Sequence, residues 1–290
     1  MIVSSIIGGL GNQMFQFAAG RALALDRGQA IKLDTSGFEN YKLHQGFQLQ
    51  RAFKGPFDVA SESEISAVLG WQRAPLVQRI LSRPLSAPLR KDSLVVEPYF
   101  QYWDGIHEAP EDCYLRGYWQ SEKYFQAHAA AIRANFSFQL PLAGQNSLLA
   151  KKIGQVNAVS LHVRRGDYVK NPATLAMHGV CSLEYYNAAV EHFLTRIDNP
   201  VFFIFSDDMP WVKANLSMAA TTHYVDHNAQ AYDDMHLMSL CKHHVIANSS
   251  FSWWGAWLNA GPDKIVVAPK QWFANLRDTE HLLPKDWVKL

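Results

Sequence analysis

The sequence predicts an α/β protein of two Rossmann-like domains, residues 1–145 and 146–290, on three observations. A strand, a glycine turn, a helix and a second strand follow one another over residues 2–34, the opening of a βαβ unit. From residue 146 onward, short wholly apolar runs alternate with helical patterns, as strands do when a parallel sheet is covered on both faces. Between the halves, Gln139 to Asn146 breaks both patterns with Pro141 and Gly144, the composition of a linker.

In the first half, Ile2 to Ile7 reads as a short apolar strand running into Gly8-Gly-Leu-Gly-Asn-Gln-Met14. A helix is expected from Met14 to Asp26, its apolar face given by Met14, Phe17, Ala18, Ala22 and Leu25. Gln29 to Leu33 is the second strand, ending at Asp34. Residues 41–112 have a loose pattern cut by several prolines; within it Ser61 and Glu64 are spaced as a capping box. Trp71, Tyr99, Phe100, Tyr102 and Trp103 are aromatics able either to stack on sugar rings or to fill core. Cys113 to Tyr118 is a further strand, and a helix capped by Ser121 is expected to run to Ala134.

In the second half, strands are expected at Ala158–Val163, Val201–Phe205, Thr222–Val225, Val245–Ala247 and, last, Lys264–Val267. Helices are expected between them, from Leu183 to Ile197, Met209 to Leu216 and Tyr232 to Cys241, and one carrying Trp253, Trp254 and Trp257. A loop follows Val163.

Composition bounds the function. Apolar residues make up 48% and charged residues 18%, and the net charge is +1, which supplies no basic field for nucleic acid. Cys113, Cys181 and Cys241 are odd in number and far apart, the mark of buried thiols in a reducing cytosol. The apolar start lacks a basic leader and is interrupted by glycines, so neither a signal peptide nor a membrane span is expected. The expected location is the cytoplasm.

Three strand ends of the second half carry complementary polar groups. His162, Arg164 and Arg165 close the first strand, with Gly166 turning the chain and Asp167 able to pin Arg165. Ser206, Asp207 and Asp208 close the second. Asn248, Ser249, Ser250, Phe251 and Ser252 open a helix after the fourth, where backbone amides favour anions. Ligands of open α/β sheets bind outside the carboxyl ends of strands. Arginine forks suit a diphosphate and carboxylates suit ribose hydroxyls or purine N–H groups, so the set describes a nucleoside-diphosphate pocket. In the first half, Gly9, Gly11, Asn12 and Gln13 form a polar loop facing a cleft. A nicotinamide site there is disfavoured, since the third glycine of the dinucleotide fingerprint is missing and two amides occupy its place. A divalent metal on Asp207 and Asp208 lacks a third oxygen ligand in the sequence.

Gly8-Gly-Leu-Gly-Asn-Gln-Met-Phe-Gln16, Gly117-Tyr-Trp-Gln-Ser-Glu-Lys-Tyr-Phe125, His162-Val-Arg-Arg-Gly-Asp-Tyr168, Phe205-Ser-Asp-Asp208 and Asn248-Ser-Ser-Phe-Ser-Trp-Trp-Gly255 occur in that order. Together they resemble the α-1,2-fucosyltransferase family, inverting enzymes of bacterial surface-glycan and blood-group H synthesis. The His162-to-Asp167 core is shared more widely, with α-1,6- and protein O-fucosyltransferases. The resemblance implies a GT-B fold, two Rossmann-like domains facing across a cleft, with GDP-fucose as donor, a galactoside as acceptor and no metal or other cofactor. It places Arg164 on the β-phosphate and His162 near guanine. Asp207 or Asp208 falls on base or ribose, Ser249, Ser250 and Ser252 on the phosphates, and Asn12 near fucose C1. Arg164, Asn12 and Asp167 are then the catalytic candidates. The general base stays open among Asp34, Glu97, Asp104 and Glu122. No anchor like that of the animal enzymes precedes the motifs, as expected of a bacterial cytosolic form, and a lipid-linked acceptor would make it peripheral to the inner face of the membrane. A non-catalytic glycan-binding protein is the rival reading.

Overall fold

In the computed structural model the chain is described over residues 1–39, 45–275 and 278–290, with every side chain there except those of Pro75, Pro84 and Asp167. It divides into two compact units, Met1–Gln139 with Asp278–Leu282, and Leu140–Arg277 with Leu283–Leu290.

The first unit runs β1 (Ile2–Ser5), α1 (Leu10–Asp26), β2 (Ile31–Asp34), α2 (Leu49–Ala52), α3 (Glu62–Leu69), α4 (Pro75–Leu81), β3 (Leu94–Val96), β4 (Cys113–Arg116) and α5 (Ala129–Asn135). Its described strands form one parallel sheet in the order β2-β1-β4-β3. Helix α1 starts four residues before the expected Met14. Gly8 takes a left-handed φ of +79°, and Gly9 then accepts from the N–H of Asn12 and of Gln13 at 2.9 and 3.1 Å. The polar loop expected at residues 9–13 is therefore largely the first turn of a helix. Strand β3 was not anticipated, because a three-residue Leu-Val-Val run is too short to show a period. The capping box is present: Ser61 accepts from the N–H of Glu64, whose carboxylate accepts from the N–H of Ser61. The helix expected to reach Ala134 is instead two 3-10 turns over residues 122–128 followed by the short α5.

The second unit runs α6 (Gly144–Gln155), β5 (Asn157–Val163), α7 (Gly166–Lys170), α8 (Pro172–His178), α9 (Leu183–Leu194), β6 (Pro200–Ser206), α10 (Met209–Asn215), β7 (Thr222–Val225), α11 (Ala231–Leu240), β8 (His243–Val245), α12 (Ser250–Leu258), β9 (Val266–Ala268) and β10 (Val288–Lys289). The described strands pair in parallel in the order β10-β9-β8-β5-β6-β7. Alternate residues of β5 serve opposite faces: Val159, Leu161 and Val163 pack on α9 through Tyr186, Ala189 and Phe193, and Ala158 joins a second cluster with Leu237 and Met238 of α11. Each large apolar side chain so buried stabilises the unit by roughly 1.5–3 kcal/mol.

Four expectations are corrected. The loop after Val163 contains α7 and α8, the latter capped by Asn171, which accepts from the N–H of Ala173 and Thr174. The fourth strand lies two residues earlier, at His243–Val245, because the buried His244 is satisfied by Ser160 Oγ at 2.8 Å and Asn259 Nδ2 at 2.9 Å and so behaves as a core residue. The last strand is β10, paired to β9, and part of the expected linker is the start of α6. Among the described residues no helix is long and apolar enough to cross a membrane.

Candidate functional site

The ladder of β5 and β6 ends with Val163 opposite Ser206, and β8 pairs on the other side of β5, with Leu161 opposite Val245. The three polar strand ends thus lie side by side in one unit.

Arg164 and Arg165 leave β5 toward different partners. Arg164 Nη1 lies 3.1 Å from Asp207 Oδ2, and its guanidinium stands 5.4 Å from the Tyr168 ring. The Arg165 guanidinium carbon stands over the Trp211 ring, 3.8 Å from its centroid, a cation–π contact, with Nε 3.7 Å from Asp208. The pairing expected with Asp167 falls outside the described side chains. The described partners of the Arg165 side chain are the N-cap of α10 and a residue within it, which adjacent-residue reasoning does not reach.

Asp207 ties the strand ends together. Its Oδ1 accepts from the N–H of Arg165 at 2.9 Å while Oδ2 faces Arg164. Burial works to raise its pKa, but Arg164, the N–H groups of Arg165 and Gly166, and His162 outweigh burial, and the carboxylate titrates below its usual range. Gly166 earns its place through this close approach rather than through a turn. A Cβ there would sit 2.8 Å from Asp207 Oδ2 and 3.2 Å from the Asp207 carbonyl oxygen.

His162 is buried beside Phe251, with ring centroids 5.5 Å apart. Burial lowers its pKa to about 4, with Asp207 opposing and Arg164 assisting, so the ring is neutral at pH 7. Its Nδ1 is buried without a hydrogen-bond partner among the described residues. An orphaned polar atom costs about 1–3 kcal/mol unless something pairs with it.

Several expected ligand groups are spent on the scaffold. Ser206 Oγ accepts from the N–H of Asp208, and Asp208 caps α10 by accepting from the N–H of Trp211. Asn248 Nδ2 donates to the carbonyls of His178 and Trp272, bracketing α8 to the segment after β9. Ser249 caps α12, and the buried Ser252 directs its hydroxyl to the carbonyls of Ala247 and Ser249. A phosphate contact by Ser252 would require that bond to break. Ser250 and Phe251 stand in the first turn of α12.

In the first unit the same division holds. Gln13 is wholly buried, donating to Gly8 and Gly46 carbonyls and accepting from the N–H of Gln48, all at 2.8–2.9 Å. Gly9 caps α1 and Gly11 lies buried within it. Asn12 Oδ1 accepts from Gln120 Nε2 at 2.7 Å, which links the first turn of α1 to the segment after β4. Beside that segment, directly after β3, Glu97 accepts from the N–H of Tyr118 at 2.7 Å and of Trp119 at 3.0 Å. Trp119 has φ +55°, and a Cβ on Gly117 would meet Glu97 Cβ at 2.5 Å, so the backbone is moulded around this carboxylate. Burial raises its pKa to about 7 against those two hydrogen bonds. Of the other base candidates, Asp34 is held by Tyr114 Oη and the N–H of Ser36, and Asp104 accepts from Tyr102 Oη. Trp211 was missed by sequence reasoning, and Gln120, though inside the Gly117–Phe125 motif, was given no role; the sequence carries no signal of what a Trp stacks on or a Gln donates to.

The family model of glycosyl transferase family 11 matches residues 103–290. The chain is 36% identical to an alpha-1,2-colitosyltransferase of Escherichia coli, over 100% of this chain and 99% of that protein. It is 33% identical to the O-antigen biosynthesis glycosyltransferase WbnK of Escherichia coli, over 99% of each. A galactoside alpha-(1,2)-fucosyltransferase 1 of Saimiri boliviensis boliviensis is 25% identical over 97% of this chain and 72% of its own. In fold the chain is similar to the fucosyltransferase NodZ from Bradyrhizobium, with TM-score 0.54 at 13% identity over 88% of this chain and 91% of that one. The α/β architecture with two parallel sheets is thus the GT-B type of the fucosyltransferases, and by the match over its C-terminal two-thirds the chain belongs to glycosyl transferase family 11.

Proposed function

We infer that the protein transfers L-fucose from GDP-β-L-fucose to the 2-hydroxyl of a terminal galactoside, with inversion and without a divalent metal, in surface-glycan (O-antigen) synthesis. The observation that carries this reading is the cluster at the ends of β5 and β6: Arg164 held by Asp207, beside a neutral buried His162 with an unpartnered nitrogen. The cluster offers a fixed guanidinium for a diphosphate and an unmet hydrogen bond for a nucleoside, and it lies in a family 11 chain.

As the bond from fucose C1 to GDP loosens, negative charge gathers on the β-phosphate. A guanidinium fixed at that oxygen stabilises the transition state more than the ground state. Asp207 and Tyr168 hold the Arg164 fork in place before the substrate arrives. On the acceptor side, Asn12, fixed by Gln120, orients the hydroxyl, and Glu97 receives its proton; a carboxylate with a pKa of about 7 is a stronger base than an ordinary one and is about half ionised at pH 7 and largely ionised at pH 8. An acceptor carried on lipid would bring the protein to the inner face of the membrane.

A second donor is favoured by the 36% identical relative: GDP-colitose, whose sugar is fucose without the 3-hydroxyl. A site that hydrogen-bonds the 3-hydroxyl rejects the deoxy sugar by orders of magnitude, whereas a site that ignores it accepts both. The test is GDP release from each nucleotide sugar, with and without lactose and with EDTA throughout. Acceptor-dependent release from GDP-fucose is expected to persist in EDTA. Release from GDP-colitose alone would reassign the donor, and loss of release in EDTA would overturn the metal-free mechanism.

A further inference from the structure

We propose that residues 71–91 of the first unit form a docking surface for an anionic lipid membrane, a property independent of the transfer reaction. The stretch contains Arg73, Arg79, Arg83, Arg90 and Lys91 and no Asp or Glu, in a chain whose net charge is only +1.

Helix α4 is apolar on two sides. Val77 and Leu81 pack inward against the cluster of Val3, Ile65, Leu69 and Tyr114. Leu76, Arg79 and Ile80 recur at i, i+3 and i+4, the spacing of a single helical face, and that face is the exposed one; Arg83, also exposed, follows the helix in extended backbone. Leu76 is 74% exposed and Ile80 54%. The 3-10 turn that follows presents Leu85 at 96% and Leu89 at 67% exposure. Leaving four branched aliphatic side chains in water forgoes the gain of burying them, and an acyl boundary supplies it.

The charges decide the occupant. Arg73 is paired with Glu62, and Arg90 donates to the carbonyls of Leu81 and Arg83. Among the described residues Arg79, Arg83 and Lys91 form no ion pair with a carboxylate, although Asp92 flanks the stretch. A second copy of this face would bring like charges together, whereas lipid headgroups bearing phosphate complement them while the leucines insert between.

The test uses the full chain and co-sedimentation with vesicles of phosphatidylcholine alone or mixed with phosphatidylglycerol. Binding is expected to the mixed vesicles and to fall as salt rises. One interfacial cation contributes about fivefold to partitioning, so Arg79→Gln/Arg83→Gln should weaken binding on the order of 20-fold. Leu85→Ser/Leu89→Ser should weaken it comparably with an unchanged melting temperature, those side chains being exposed already. Failure of the wild-type chain to sediment with mixed vesicles, or binding by both variants as tight as that of the wild-type chain, would overturn the proposal. So would a concentration-dependent dimer that the leucine changes dissolve. The readout needs no turnover, so it stands apart from the test of the transfer reaction.

Discussion

Replacing Gly166 by alanine sets two effects of opposite sign against each other. Glycine is a poor helix former, and in α7 alanine alone would be worth up to about 1 kcal/mol, less at the first helical position. Gly166 has no positive φ, so its backbone is not the obstacle. The obstacle is contact: the new Cβ would lie 2.8 Å from Asp207 Oδ2, 3.0 Å from its Cγ and 3.2 Å from its carbonyl oxygen. Relief needs a shift of roughly half an ångström, and Asp207 cannot give it freely while held by Arg164 and the N–H of Arg165. Overpacking of this kind costs about 1–3 kcal/mol, so the net effect should be a destabilisation of about 1–2 kcal/mol and a melting temperature lower by about 2–8 °C. The same shift moves the carboxylate that aims Arg164, and displacement of an aligned group by 1 Å can cost about 100-fold in rate. GDP release with lactose should therefore fall by about 10- to 100-fold in kcat, more than in KM. Calorimetry and initial rates on the same preparation give both numbers. A Gly166→Ala protein as stable and as fast as the parent would refute the claim that Asp207 is positioned by this contact.

Arg164→Ala should lower kcat by about 100- to 1,000-fold, and Arg164→Lys should recover little, because a point charge cannot reproduce a planar fork held by Asp207; steady-state kinetics on protein with an unchanged melting temperature checks both. If Glu97 takes the acceptor proton, kcat/KM should rise with pH through about 7, and Glu97→Gln should flatten that limb while binding of GDP, followed by thermal shift, is kept. The sign for stability is opposite: a folded-state pKa raised from 4.5 to about 7 means the native state binds the proton more tightly, so this group's contribution to stability declines between pH 4.5 and 7, by an amount on the order of 3 kcal/mol at most. Gln13→Ala should strand the N–H of Gln48 and the carbonyls of Gly8 and Gly46, and denaturant unfolding should show a loss of about 3 kcal/mol, with activity limited by folded fraction.

The sequence by itself determined the fold class and the chemistry gathered at the strand ends. Short apolar runs such as Val201–Phe205, alternating with helical patterns, read as strands buried on both faces, and the side chains that follow them emerge at the carboxyl edge, where His162, Arg164, Asp207 and Ser249 stand together. Both conclusions rest on neighbours within a few residues, which a linear reading contains. Tertiary structure alone decided how each polar atom is spent. Gln13 meets Gln48, Asn12 meets Gln120, Arg165 meets Trp211 and Asn248 meets Trp272, pairs separated by 24 to 108 residues. Burial decided the rest, neutralising His162, raising Glu97 and leaving Leu85 in water, because burial sums over every contact a side chain makes and no local pattern encodes that sum.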